Sequence, residues 1–152
     1  MITPSTGLIV CGTDTNVGKT VVSALLVQGL NATYWKPIQS GLDNGGDTGQ
    51  ICKILDLPKN RFFAEAYKFQ ASVSPHWAAE IEGQTINPDK LKIPRRKETL
   101  IIETAGGLMV PLNRHVLQID QIKHWDLPVV LVARTGLGTL NHSLLSLEAL
   151  RE

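Results

Sequence analysis

The 152-residue chain carries 15 basic and 14 acidic residues. A net charge of +1 gives no electrostatic reason to expect nucleic acid or an anionic membrane as a partner. With 43% hydrophobic and 19% charged residues it reads as one soluble globular domain spanning 1–152.

In chain order, the apolar run 7–11 is expected to be a buried strand, and it is too short and too poor in basic flanks for a secretory leader. No stretch approaches the ~20 apolar residues of a membrane span, so a cytoplasmic location is expected. Residues 20–30 follow as a helix, with Val21, Val22, Leu25, Leu26 and Leu30 at helical spacing. A strand at 33–35 completes a βαβ unit. Residues 41–46 form a loop rich in Gly, Asn and Asp, and 48–55 a helix that Asp47 is placed to cap, with Gln50 completing a capping box. Ser74-Pro75 starts a helix running to Glu82 and stopping at Gly83. Arg95-Arg96-Lys97 is expected as a solvated turn before a strand at 99–102. A last strand at 128–133 precedes an amphipathic helix over 141–152, with leucines at 144, 145, 147 and 150. Four runs that are apolar without alternation suit a parallel sheet covered on both faces. The expected fold is therefore doubly wound α/β, a mostly parallel sheet with helices on both faces, of P-loop NTPase type. Cys11 and Cys52 lack metal-type spacing and read as free thiols.

The strongest chemical signal is Gly12-Thr13-Asp14-Thr15-Asn16-Val17-Gly18-Lys19-Thr20, set between a strand and a helix. Glycines let the backbone curl until successive N–H groups point inward, and the helix start adds its positive end. Lys19 would then reach the β- and γ-phosphates, and the Thr20 hydroxyl would ligate Mg²⁺. Five residues, rather than the usual four, separate Gly12 from Gly18. Glu103 ends an apolar strand, where an acid faces the crevice of such folds and could hold the metal. Asp47 could reach the same crevice or serve only as a helix cap. Lys36 closes the second strand, and Pro37 behind it stops further ladder pairing.

These stretches together resemble the dethiobiotin synthetase family. The phosphate loop, including its five-residue spacing, is similar to that family's, and Tyr34-Trp35-Lys36-Pro37-Ile38-Gln39-Ser40-Gly41 is similar to its Tyr-Lys-Pro-x-x-Ser-Gly stretch. Asp47, Ser74-Pro75-His76, Glu103-Thr104-Ala105-Gly106-Gly107 and Leu140-Asn141-His142 fall in family order. The resemblance implies that 7,8-diaminononanoate, as a carbamate formed with CO₂, attacks the γ-phosphate of ATP and is then closed to a cyclic urea. It implies Lys19 and Lys36 as catalytic residues, and Thr20, Asp47 and Glu103 as Mg²⁺ ligands. Asn16, Val17, Gly18, Lys19, Thr20 and Val21, with Asp47, Glu103, Thr104, Ala105 and Gly106, would surround the nucleotide. Thr15, Ser40 and Asn141 would meet the substrate, Asn141 reaching it from the second subunit of a homodimer. Asn16 stands where the family often has an acid, and Thr104 where it often has glycine. Family members run on past residue 152 to an adenine-recognising Asn, so the chain is expected to be a fragment or to recognise the base differently. It is accordingly expected to hold phosphates better than it discriminates bases. A cobyrinic-acid-type amide synthase and a ParA/MinD-like switch remain as alternatives, the latter lacking its usual early lysine at 13–17.

Overall fold

A computed structural model describes residues 7–42 and 45–152; Asp43 and Asn44 of the expected glycine-rich loop lie outside them. The apolar runs become the parallel strands β1 (Gly7–Gly12), β2 (Thr33–Trp35), β6 (Leu100–Gly107) and β7 (Val129–Val132). With the short β4 (Phe62–Phe63) they form a five-stranded sheet in the order β4-β2-β6-β1-β7. Every pairing in it is parallel, and the register sets Val10 between Glu103 on one side and Val130 on the other. A second parallel pair joins β3 (Ile38–Ser40) to β5 (Tyr67–Phe69). The sequence reading missed β3, β4 and β5, because strands of two or three residues are too short to show a period.

Alternation along the strands feeds two separate cores. Ile9, Cys11, Trp35, Leu100 and Ile102 face α3 (Pro75–Ile81) and α4 (Gln118–Trp125), packing with Ala78, Ala79, Ile122 and Trp125. Val10, Tyr34 and Ile101 face the other way, onto Ala24 and Val27 of α1 (Lys19–Gly29) and Ile51 of α2 (Gly46–Leu55). Each buried Val, Leu or Ile side chain among these contributes about 1.5–3 kcal/mol when taken from water. Trp35 is pinned by its indole N–H, which donates to the Ala64 carbonyl at 3.1 Å, and by Trp125, with ring centroids 6.1 Å apart. The residue that follows it, Lys36, therefore leaves the sheet from a fixed point.

Three local expectations change. The helix after the glycine-rich loop begins at Gly46 with Gly45 as its cap, so Asp47 lies inside the first turn and forms no capping box with Gln50. Positive φ at both Gly45 (85°) and Gly46 (66°) starts the helix early, and that releases the Asp47 carboxylate for another partner. In the basic triplet only Arg95 and Lys97 are exposed; Arg96 is half-buried and donates to the Pro94 carbonyl at 3.2 Å. The last helix, α5 (Thr139–Arg151), packs Ala149 and Leu150 against the core but leaves Leu144 and Leu145 exposed.

Both cysteines are free. Cys11 is fully buried, and burial pushes its thiol up to about 12, so it is protonated and sheltered at neutral pH. Native protein treated with iodoacetamide is expected to label only at the part-exposed Cys52, with Cys11 reacting after denaturation. Mass spectrometry of the intact chain reads this directly, and early labelling of Cys11 would contradict the packing of β1.

Candidate active site

The loop from β1 to α1 is shaped by close approach. A Cβ on Gly12 would stand 2.8 Å from both the Asp14 carbonyl oxygen and Val17 Cγ2, and 3.1 Å from Lys19 Nζ. Gly18, at φ 102°, turns the chain into the helix, and Asn16 (φ 57°) takes the left-handed region in the middle of the loop. α1 opens at Lys19, so its unpaired N–H groups and positive end face the loop. Lys19 is itself buried and folds back to donate from Nζ to the Asp14 carbonyl at 2.8 Å. Burial, and then the neighbouring Lys36 ammonium, hold it below the usual lysine range, so an incoming anion would relieve it. Gly12→Ala is expected to weaken ATP binding by at least ~10-fold, ~1.4 kcal/mol. Titration calorimetry measures this, and unchanged affinity would show that the loop gives way to a methyl group.

Opposite the loop, Lys36 is 3% exposed and Glu103 1%. Lys36 Nζ lies 2.6 Å from Asp47 Oδ2 and 3.2 Å from Glu103 Oε1, and donates to the Thr104 carbonyl at 3.1 Å. Burial alone would push this ammonium down, but Glu103 and Asp47 outweigh it and hold Lys36 above its ordinary value. It is therefore charged throughout the neutral range. Glu103 receives two more donors: the Thr20 hydroxyl at Oε1 and the Tyr34 hydroxyl at Oε2, both at 3.0 Å. Burial, followed by the charges of Glu103 and Asp47, keeps the Tyr34 phenol protonated, so it can only donate to that carboxylate. Thr20 links this cluster back to the first turn of α1.

Between the two halves lies a cleft of about 780 Å³. Thr15, Asn16, Gly18, Lys19, Thr20 and Val21 line it from the loop and α1; Lys36, Ser40 and Asp47 line it from the second strand onward; and Glu103, Ala105 and Gly106 line it from β6. Three of the expected residues lie elsewhere. Val17 packs against the α1 side of the core, Thr104 is buried with its hydroxyl donating to the Val10 carbonyl at 3.4 Å, and Asn141 is exposed on α5. The sequence reading gives no site role to Tyr34, which opens the Tyr-Lys-Pro-x-x-Ser-Gly stretch but as an aromatic residue in an apolar strand reads as core, nor to Gln39 within the same stretch. Gln50, Ser72, Val73 and Val110 line the cleft as well, without any pattern that would have announced them.

A family model described as an AAA domain matches residues 6–152. The chain is 54% identical over 147 residues to the ATP-dependent dethiobiotin synthetase BioD of Rhodopseudomonas palustris (strain BisB5), covering 97% of this chain and 69% of that one. The chain belongs to the dethiobiotin synthetase family. The proteins of the same name from Afipia carboxidovorans and Nitrobacter hamburgensis are 52% and 50% identical, over 97% of this chain and 70% and 69% of theirs. The amide-synthase and ParA/MinD-like readings are set aside with that result.

For this dethiobiotin synthetase chain, the donor chemistry bears on which metal the cleft could take. Among the described residues no group of three or more His, Cys, Asp or Glu gathers as a metal cage. What gathers is two carboxylates and a hydroxyl, Asp47, Glu103 and Thr20, all hard oxygen donors. Mg²⁺ characteristically takes one or two carboxylates and completes its shell with phosphate oxygens and water. The residues present fit that ion.

Proposed function

We propose that the chain joins 7,8-diaminononanoate and CO₂, at the expense of ATP, into the cyclic urea dethiobiotin, releasing ADP and phosphate. The observation that carries this reading is that the phosphate loop with Lys19 and the buried group Lys36–Asp47–Glu103 share one cleft. Family membership supplies the substrates that such a cleft would join.

In this reading one amine of the substrate, carboxylated by CO₂, presents a carbamate oxygen to the γ-phosphorus. The bond from that phosphorus to the β-bridging oxygen breaks, and ADP leaves. The second amine attacks the carbamoyl carbon, phosphate departs, and the amine proton passes to phosphate or water. Transfer of this kind depends mainly on positioning and charge neutralisation. Lys19, with the N–H groups of residues 16–21, receives the phosphates, and Lys36 meets the carbamate and γ-phosphoryl oxygens as charge gathers on them. Asp47, Glu103 and Thr20 would hold Mg²⁺, which when bound neutralises phosphate charge. Ala105 and Gly106 form the wall beside the nucleotide, and Thr104 stands behind it, its carbonyl accepting from Lys36. Ser40 supports its own assignment to the substrate: its Oγ is buried on the cleft wall without a hydrogen-bond partner among the described residues. Thr15 lines the same wall. Asn141, exposed near the start of α5, is assigned to the substrate of a second protomer, which makes the active form a homodimer. No helix among the described residues is long and apolar enough to cross a membrane, and the site of action is taken to be the cytoplasm.

The test is the substrate dependence of phosphate release from Mg·ATP. Turnover is expected to need both diaminononanoate and bicarbonate and to fall to background when either is withheld. Hydrolysis at the same rate without diaminononanoate would point to an ATPase of another purpose.

A further inference from the structure

We infer that Gln39 is a positioning residue that sets Asp47 onto Lys36. Gln39 is 6% exposed, and all the polar atoms of its amide are engaged. Its Oε1 accepts the backbone N–H of Asp47 at 2.9 Å, and its Nε2 donates to the carbonyls of Ser40 and Gly41, each at 3.0 Å. One side chain thus ties the strand carrying Lys36 onward to the first turn of α2. The Asp47 N–H is one of the donors that a helix start leaves unpaired, and the cap residue of α2, Gly45, has no side chain to serve it. Gln39 supplies that acceptor.

The loop is also built around this amide. A Cβ on Gly46 would come within 2.8 Å of Gln39 Cδ and 2.9 Å of its Oε1, at a backbone φ of 66°. Only glycine admits both the turn and the contact. The consequence lies at the other end of Asp47, whose Oδ2 is 2.6 Å from Lys36 Nζ. Without Gln39 the first turn of α2 has no fixed place relative to β3, and the carboxylate loses its alignment with Lys36 and Glu103. Residues that orient a ligating carboxylate from behind typically change metal affinity or activity by ~10–100-fold when removed. This inference rests on the reading of Asp47 given above.

Gln39→Met keeps the length of the side chain and removes its hydrogen bonds. Two measurements test it. Amide hydrogen exchange of nucleotide-free protein should show the Asp47 N–H losing protection while the amides of β1 and β6 keep theirs. In turnover, Gln39→Met should lower kcat about 10–100-fold with little change in the KM for ATP. The double variant with Asp47→Asn should be no slower than Asp47→Asn alone, within about threefold, because both changes remove the same placement. Gly46→Ala reaches the amide from the other side without altering Gln39, and should reproduce both results if Gln39→Met folds poorly. Unchanged protection at Asp47, or losses that multiply in the double variant, would overturn the inference. Should the unaltered chain make no dethiobiotin, the functional reading falls while the exchange measurement still decides the role of Gln39.

Discussion

Lys36→Gln should lower the rate of dethiobiotin formation about 100-fold or more, equivalent to ~2.7 kcal/mol of transition-state stabilisation. The lysine is 3% exposed and held by Asp47, Glu103 and the Thr104 carbonyl. An ammonium is costly to bury, and here two carboxylates offset that cost. Its charge is most useful as phosphoryl oxygens gather negative charge, so kcat should fall more than ATP affinity. The sign of its pH dependence follows from its raised value. A lysine held above its unfolded value contributes stability that is complete below that value and lost only as pH rises through the higher folded one. Between pH 6 and 9 the rate deficit of Lys36→Gln should therefore be constant. A folded variant making product at near the original rate would remove Lys36 from the mechanism.

Glu103→Gln should cost both stability and turnover. The carboxylate is 1% exposed and accepts from Thr20, Tyr34 and Lys36. Removing one charge of a buried pair leaves its partner undercompensated, with typical losses of about 3–5 kcal/mol. The lower end is expected here, because Asp47 still faces Lys36 at 2.6 Å. Urea denaturation at pH 7 measures that loss. Turnover should drop by at least about 100-fold, since the change affects a proposed metal donor and the orientation of Lys36 together. A variant as stable as the original protein would mean that Glu103 is not the centre of the buried network.

Much of this arrangement was legible in the sequence because it depends on local chemistry. The phosphate loop announces itself through glycines at fixed offsets, Lys36 through its place directly after the second strand, and Glu103 as the acid that interrupts an apolar run; β6, however, continues to Gly107, so Glu103 lies within the strand and not at the end expected for it. Three features were not legible. The cap at Gly45 depends on two successive positive-φ glycines, and the sequence signal of Asp47 followed by Gln50 competed with them and lost. The hydrogen bond of Tyr34 was hidden, because its hydroxyl partner, Glu103, is 69 residues away in the chain. Among the described residues the short β3 and β5 pair only with each other, and no periodicity survives in three residues. Long-range contacts of this kind carry the second half of the site, while the first half is written contiguously in residues 12–20.

The identity of the product tests the proposed reaction most directly. The chain, incubated with ATP, Mg²⁺, diaminononanoate and ¹³C-bicarbonate, should yield dethiobiotin whose ring carbonyl carries the label, detected by mass spectrometry, with ADP and phosphate formed in equal amounts. Consumption of ATP without labelled cyclic urea, from protein shown to be folded and nucleotide-bound, would contradict the account.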